Sequence, residues 1–338
     1  MQVRHIRLEP AEPLPAGQLT NWQPQPAPSG WSETNRLRPG LAEDFWLTGN
    51  RPGELWHGSL KGTQLLENQA ANRPELVFYD ILTTGQADLV ATNGGLWWRS
   101  QAQTEWQPAI GAPAGLAYVV ARAGELYYAG FEAEGLWLAA SPSGPWQRTT
   151  LTATTVVDLT VAPYTASDQS PAPDHRLYAT TEREIFVNNG LDPGWRQLPL
   201  PGLSAEELND AGESPADKLK PRLYSFANGR VVVRNQDRLW LQNEHHPAKW
   251  ESFGPERLFG KLYSVLNCCG SGTLVGTNDA GLWQLDSSET WQRLDDTFFN
   301  TTDVTELLAV RDSLLAAGDV GLFQSGDGRT WQKTAGLP

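Results

Sequence analysis

Gly-Leu-Trp, or a close variant of it, recurs along this chain. Leu55-Trp56, Leu96-Trp97, Leu136-Trp137, Ile185-Phe186, Leu239-Trp240, Leu282-Trp283 and Leu322-Phe323 are seven copies. A second aromatic element follows most of them about nine or ten residues later: Trp106, Trp146, Trp195, Trp250, Trp291 and Trp331, most with Gln or Arg next. Successive copies of this second element lie 40 to 55 residues apart. A period of about 40 residues, built from short strands, is the mark of a β-propeller with one blade per repeat.

The clearest repeat is 261–294. Lys261 to Leu266 alternates as an innermost strand, and Thr273 to Thr277 follows it. Asn278-Asp279-Ala280 turns the chain into a third strand, Gly281 to Leu285, and Asp286 to Glu289 turns it into an outer strand, Thr290 to Leu294. β-Branched and aromatic residues at period two, punctuated by Gly, Asn and Asp, are what hairpin-linked strands require. The other repeats align on this one, and the first loses its second Trp near Gln64-Leu65-Leu66. The expectation is an all-β fold: a seven-bladed β-propeller of four-stranded antiparallel blades over 31–338, with almost no helix.

Two insertions break the period, at 163–174 between strands one and two of the fourth blade, and at 201–221 between blades four and five. Leu203 to Leu208 has the pattern for one helical turn or two. Residues 1–30 form an N-terminal extension. Trp22, in Thr20-Asn21-Trp22-Gln23, is a further Trp of the outer-strand type. A propeller removes its free edge when one terminus completes a blade begun by the other. Val3 to Trp22 therefore either adds a strand to the last blade or, with its prolines, forms a loose tail.

The formal net charge is −13, from 26 basic and 39 acidic residues, a field that repels nucleic acid. The longest apolar runs are strand-sized, so no direct membrane insertion is expected. Met1 to His5 leads into Pro-rich sequence without an apolar segment, so no signal peptide is expected. The two cysteines, Cys268 and Cys269, are adjacent rather than a spaced pair, which suits a reducing, cytoplasmic setting. Neither they nor His245-His246 have enough further ligands nearby for zinc, so no metal is expected. No phosphate-cradling loop or nucleophile elbow occurs, and no cofactor is expected.

The last repeat ends in Ser325-Gly326-Asp327-Gly328-Arg329-Thr330-Trp331. This resembles the Asp-box (BNR) motif, Ser-x-Asp-x-Gly-x-Thr-Trp, shortened by one residue. In such a turn Asp and Ser side chains tie the local backbone and Thr-Trp opens the next strand, so Ser325, Asp327, Gly328, Thr330 and Trp331 are read as structural. Asp286 to Trp291 is a degraded copy, and Ser141 to Trp146 keeps little but the Trp. On these motifs the chain resembles the BNR/Asp-box, sialidase-like superfamily of propellers. Its tag spacing is similar to propellers of the photosystem II assembly-factor type and of sortilin-like receptors. Sialidase activity would need an Arg-Ile-Pro start, three arginines gripping a carboxylate and a Tyr/Glu nucleophile pair. Arg-Ile-Pro is absent, and Arg176, Arg222 and Arg257 stand in no matching context. No catalytic residue is nominated, and the chain is expected not to be an enzyme.

Most of the 15 Trp residues fall on repeat positions, which marks them as packing between blades. Trp31, Trp46 and Trp98 lie off those positions and are the candidates for a surface anchor. The turns between second and third strands hold Glu54, Glu132, Glu134, Glu182, Glu184, Asp237, Asp279 and Asp319, against few bases, Arg51, Arg183 and Arg238. In a propeller these turns and the connectors between blades share one mouth of the channel. Glu132, Glu134, Glu182, Glu184, Asp237, Asp279 and Asp319 are therefore the binding candidates. They form either a solvated rim or a docking face for a protein partner with a basic or polar surface. The expected function is a non-catalytic protein-interaction or scaffold propeller, an assembly factor or accessory subunit of a larger complex. The alternative is a glycan-binding or sialidase-like hydrolase propeller.

Overall fold

A computed structural model describes residues 25–26, 34–49, 51–60, 67–70, 73–163, 175–189, 194–202, 220–235, 238–243, 246, 248–255, 262–268, 272–278, 280–286, 289–294, 303–319 and 321–336. These form seven sheets, each built on four antiparallel strands that follow in chain order. The fold is the expected seven-bladed β-propeller, with no helix among the described residues. Blades 1 to 7 cover 34–68, 78–108, 117–148, 158–199, 222–253, 262–293 and 304–336. One compact unit is built from Leu89–Arg99 and Gln107–Gly254 and carries blades 3, 4 and 5; blades 1, 6 and 7 belong to the other unit, and blade 2 contributes to both.

The Leu-Trp tag lies on the third strand of every blade, and the two-residue period of a strand explains it. Adjacent side chains leave the sheet on opposite faces, so a blade needs one apolar residue for each neighbour. The first member is buried in all seven blades: Leu55, Leu136, Ile185, Leu239, Leu282 and Leu322 are 0 % exposed and Leu96 is 2 %. Leu136 and Ile185 pack toward the following blade, into Val156 and Leu159 and into Leu223 and Val231. Leu282 and Leu322 do the same against Val304 and Leu314 and against Leu37 and Phe45. The second member turns the other way. Phe186 joins the core of Val119 and Leu136, and Phe323 joins that of Leu274 and Leu282. Burying each such side chain stabilises the fold by roughly 1.5–3 kcal/mol.

The half-buried tryptophans of the tag also serve the turn before them. The indole N–H of Trp97, Trp137 and Trp283 donates to the carbonyl three residues back, in Gly94, Glu134 and Ala280, at 3.3, 3.0 and 3.2 Å. A threonine at the end of the second strand closes the same turn. Thr92, Thr180 and Thr277, all fully buried, donate to the carbonyls of Gly95, Glu184 and Gly281 at 2.8, 2.9 and 2.7 Å. The glycine of the tag has a steric reason. Gly135 has φ +75°, and a Cβ there would lie 2.4 Å from the Ala153 carbonyl oxygen of the next connector. Only glycine takes both that dihedral and that approach without strain.

The second-element tryptophans occupy equivalent places, at or one residue before the fourth strand, but not equivalent environments. Trp106, Trp146 and Trp331 are 2, 3 and 3 % exposed; Trp195, Trp250 and Trp291 are half-buried. Trp106 Nε1 donates to the Gln69 carbonyl of the preceding blade at 3.1 Å, and Trp331 packs into the core shared by blades 6 and 7.

Gln25–Pro26 pairs in parallel with Ala335 and Gly336, adding a fifth strand at the outer edge of blade 7. Val3 to Trp22 lies outside the described residues. So do 164–174, between Asp158–Pro163 and His175–Thr180 of blade 4, and 203–219, including Leu203 to Leu208.

Candidate functional site

Turns between second and third strands meet the inter-blade connectors directly. Gly53 N–H donates to the Leu76 carbonyl at 2.8 Å, Gly135 N–H to Thr154 at 2.6 Å, and Val156 N–H to Phe131 at 3.0 Å. Asn235 Nδ2 donates to the Pro201 carbonyl at 2.7 Å, and Asn278 Nδ2 to both Asp303 carboxylate oxygens at 3.0 and 2.9 Å. These two loop classes therefore lie at one end of the blades.

At that end, blades 3 and 4 enclose an open groove of about 930 Å³. Its walls come from the turn residue Glu132, the connector Thr152 to Thr155, the turn Thr181 to Glu184, and Phe186 and Gln197 to Leu200 of blade 4. Three of the candidate acids, Glu132, Glu182 and Glu184, converge here. Thr181 sets the second turn: its hydroxyl accepts the backbone N–H of Arg183 at 3.1 Å and of Glu184 at 2.9 Å, the usual tie of a threonine turn. Gln197 Nε2 holds Glu184 Oε1 at 2.6 Å. The lining is thus hydroxyl- and carboxylate-rich with an apolar floor at Phe186 and Leu198.

Beside the groove stands a cluster that counting bases in the turns missed. Tyr118 lies at a β-bulge between Ala117 and Val119 in the first strand of blade 3, Ala117–Ala123; a bulge bends its strand and re-aims the side chain. Its hydroxyl donates to Glu132 Oε1 at 2.8 Å. The Lys220 ammonium sits 3.7 Å from the centre of the Tyr118 ring. Lys220 is solvent-exposed overall, yet partial burial of the amine lowers its proton affinity, against the opposing pull of Glu182 and Glu132. Its carbonyl accepts from Arg234 Nη2 at 2.7 Å, a side chain only 4 % exposed. Lys220 is the next-to-last residue of the 201–221 insertion, and nothing in its own sequence surroundings signals that it meets residues of blades 3 and 4.

The remaining candidates divide. Glu134 is exposed on the same turn as Glu132, outside the groove wall, and Asp319 is exposed in its own turn in blade 7. Asp237 and Asp279 lie outside the described residues, as do Arg257, His245, Cys269 and Trp31. Glu54, counted among the rim acids, is 7 % exposed, and its Oε2 accepts the Arg51 backbone N–H at 3.0 Å; it builds its turn rather than a surface. Trp46 is no surface anchor: it is 3 % exposed, with its ring 4.5 Å from that of His57. Trp98 is half-buried. Arg176 is the second residue of the second strand of blade 4, opposite Ala162, whereas Arg222 opens the first strand of blade 5. The two stand at opposite ends of their blades.

Ser325 to Trp331 forms a tied turn between the third and fourth strands of blade 7. Ser325 Oγ accepts the Gly328 N–H at 2.8 Å, and Asp327 Oδ1 accepts those of Arg329 and Thr330 at 2.8 and 2.7 Å. Trp331 Nε1 closes it on the Gly328 carbonyl at 3.2 Å. Burial pushes the Asp327 carboxyl up, but the N–H groups of Thr330 and Arg329 and the Ser325 and Thr330 hydroxyls outweigh it, leaving the group below its ordinary value. These donors bond within the turn itself.

No family model matches the chain, and no curated protein does. Solved structures match in fold. YCF48 bound to D1 peptide superposes with a TM-score of 0.62 at 11 % identity, covering 90 % of this chain and 95 % of that one. The extracellular domain of a putative one-component system from B. thetaiotaomicron gives 0.65 at 14 % identity, over 90 % of this chain and 39 % of that one. A catalytically inactive virginiamycin B lyase from Staphylococcus aureus with quinupristin gives 0.64 at 9 % identity, over 88 % and 95 %. At such identities the likeness is one of propeller fold.

Proposed function

We propose that this propeller is a non-catalytic protein-binding scaffold of the BNR/Asp-box type, serving as an assembly factor or accessory subunit, and that a protein partner docks on the end of the blades that carries the connectors. The observation that carries the reading is the groove between blades 3 and 4, where Glu132, Glu182 and Glu184 converge from two turns. A groove of this size suits an extended segment of a partner, and its carboxylates favour basic or polar character. YCF48, a propeller of the same fold, has been seen with a peptide bound, which is a precedent for the mode. The opposite placement of Arg176 and Arg222 and the inward-tied Asp327 turn support a reading without sialidase chemistry. The cytoplasmic setting belongs to the same proposal.

The test is isolation of the native complex, followed by crosslinking and mass spectrometry. Crosslinks are expected at Thr152 to Thr155, Glu182 and Lys220. Crosslinks confined to the other end, around His246, Asp286 and Asp327, would overturn the docking face.

A further inference from the structure

Tyr118, Glu132 and Glu182 have the parts that recognise an organic cation, and one already stands over the Tyr118 ring. The Lys220 ammonium at 3.7 Å from the Tyr118 ring centre is well inside the roughly 6 Å over which a ring face attracts a cation. The ring is not free to turn away, because its hydroxyl is bonded to Glu132 at 2.8 Å. Glu132 and Glu182 both act on the Lys220 charge, and both line the groove. The lysine backbone is fixed by other means, the 2.7 Å bond from Arg234 to its carbonyl. The side chain can therefore leave the ring without moving the strand behind it.

We infer that Tyr118, Glu132 and Glu182 form a binding site for a lysine or arginine side chain of a protein partner, and that Lys220 fills this site in the unbound protein. The inference rests on the proposed docking face and names the chemistry of its occupant. The adjoining groove takes the partner chain beside the basic residue. Lys220 then acts as an internal competitor. A partner's affinity falls by the fraction of time the site stands open; a site filled nine times in ten weakens binding about tenfold. A lone surface lysine gains little against such competition. A segment that also fills the groove displaces Lys220, and that difference is a source of specificity.

The test uses the full chain and a fluorescein-labelled nine-residue peptide, one central lysine among alanine and serine, with a central-glutamine peptide as control. Binding is read by anisotropy. Lys220→Gln is expected to bind the lysine probe about tenfold more tightly than the natural chain, with the glutamine probe unchanged. Adding Tyr118→Leu to Lys220→Gln is expected to remove the gain. Lys249→Gln, which removes an exposed charge at the other end of blade 5, controls for net charge and is expected to show no gain. Melting midpoints check that each variant folds. The site is refuted if Lys220→Gln shows no gain, if Lys249→Gln gains as much, or if the gain survives Tyr118→Leu. Native crosslinks at the other end of the blades alongside a clear Lys220→Gln gain would sink the docking face and leave the site. Crosslinks at this end without the gain would do the reverse.

Discussion

Leu322 and Phe323 are neighbours in the chain but belong to two different cores. Leu322, 0 % exposed, packs with Leu37, Phe45 and Leu47 of blade 1; Phe323, 1 % exposed, packs with Leu274, Leu282 and Trp331 toward blade 6. This tag thus joins its own blade to the blade before and the blade after, because consecutive strand residues face opposite ways.

Truncating either residue should open a cavity at a different blade junction. Leu322→Ala is expected to lower stability by about 2–5 kcal/mol and Phe323→Ala by about 3–5 kcal/mol, by denaturant titration. A loss well under 1 kcal/mol for either would contradict the two-core assignment.

Trp331 and Trp291 hold the same place in the repeat and differ in burial. Trp331→Ala is expected to cost about 3–5 kcal/mol. Trp291→Ala is expected to cost clearly less, since a half-buried ring has less to lose. Equal losses would show that repeat position, not burial, sets the energy.

Asp327 ties its turn as a carboxylate, and its pKa is lowered in the folded state. Asp327→Ala is expected to cost about 0.5–2 kcal/mol at neutral pH, as for other side chains that cap backbone N–H groups. A depressed folded value means the ionic share is fully present above the ordinary carboxylate pKa and lost as pH falls through the folded one. The difference between Asp327→Ala and the natural chain should therefore shrink in acid. A constant or growing difference below about pH 4 would show that the charge contributes nothing.

The two ends of the 201–221 insertion are pinned to one strand, Val231–Asn235 of blade 5: Arg234 holds the Lys220 carbonyl and Asn235 the Pro201 carbonyl, each at 2.7 Å. Replacing 204–218 by a short Gly-Ser linker should leave the melting midpoint nearly unchanged, since both anchors remain. A drop of more than several degrees would mean that the segment supports the blades.

A screen with fluorogenic sialosides and common glycosides is expected to return buffer-level rates. Turnover abolished by Arg176→Ala or Arg222→Ala would restore the hydrolase reading.

Much of the fold was legible because every blade repeats the same physical demand. A strand buried on both faces needs two consecutive large apolar residues, so the chain writes Leu-Trp once per blade. A tight entry to that strand at positive φ needs glycine, as at Gly135. The Thr92, Thr180 and Thr277 hydroxyl ties recur too, but a lone Thr before a turn is too common to stand out. The groove was half legible. Glu132, Glu182 and Glu184 were recognisable as turn residues of one loop class, while Glu54, in the same class, folded inward onto its own turn.

The sequence by itself determined the architecture and which loops share an end, because strand period, turn chemistry and blade count are local properties repeated along the chain. Only the tertiary structure decided which turn residues come together. Lys220 reaches Tyr118 from about a hundred positions away, through a bulge and an anchored connector that carry no repeat signal. Contacts of that kind depend on the path of the chain in space, and no periodicity encodes them.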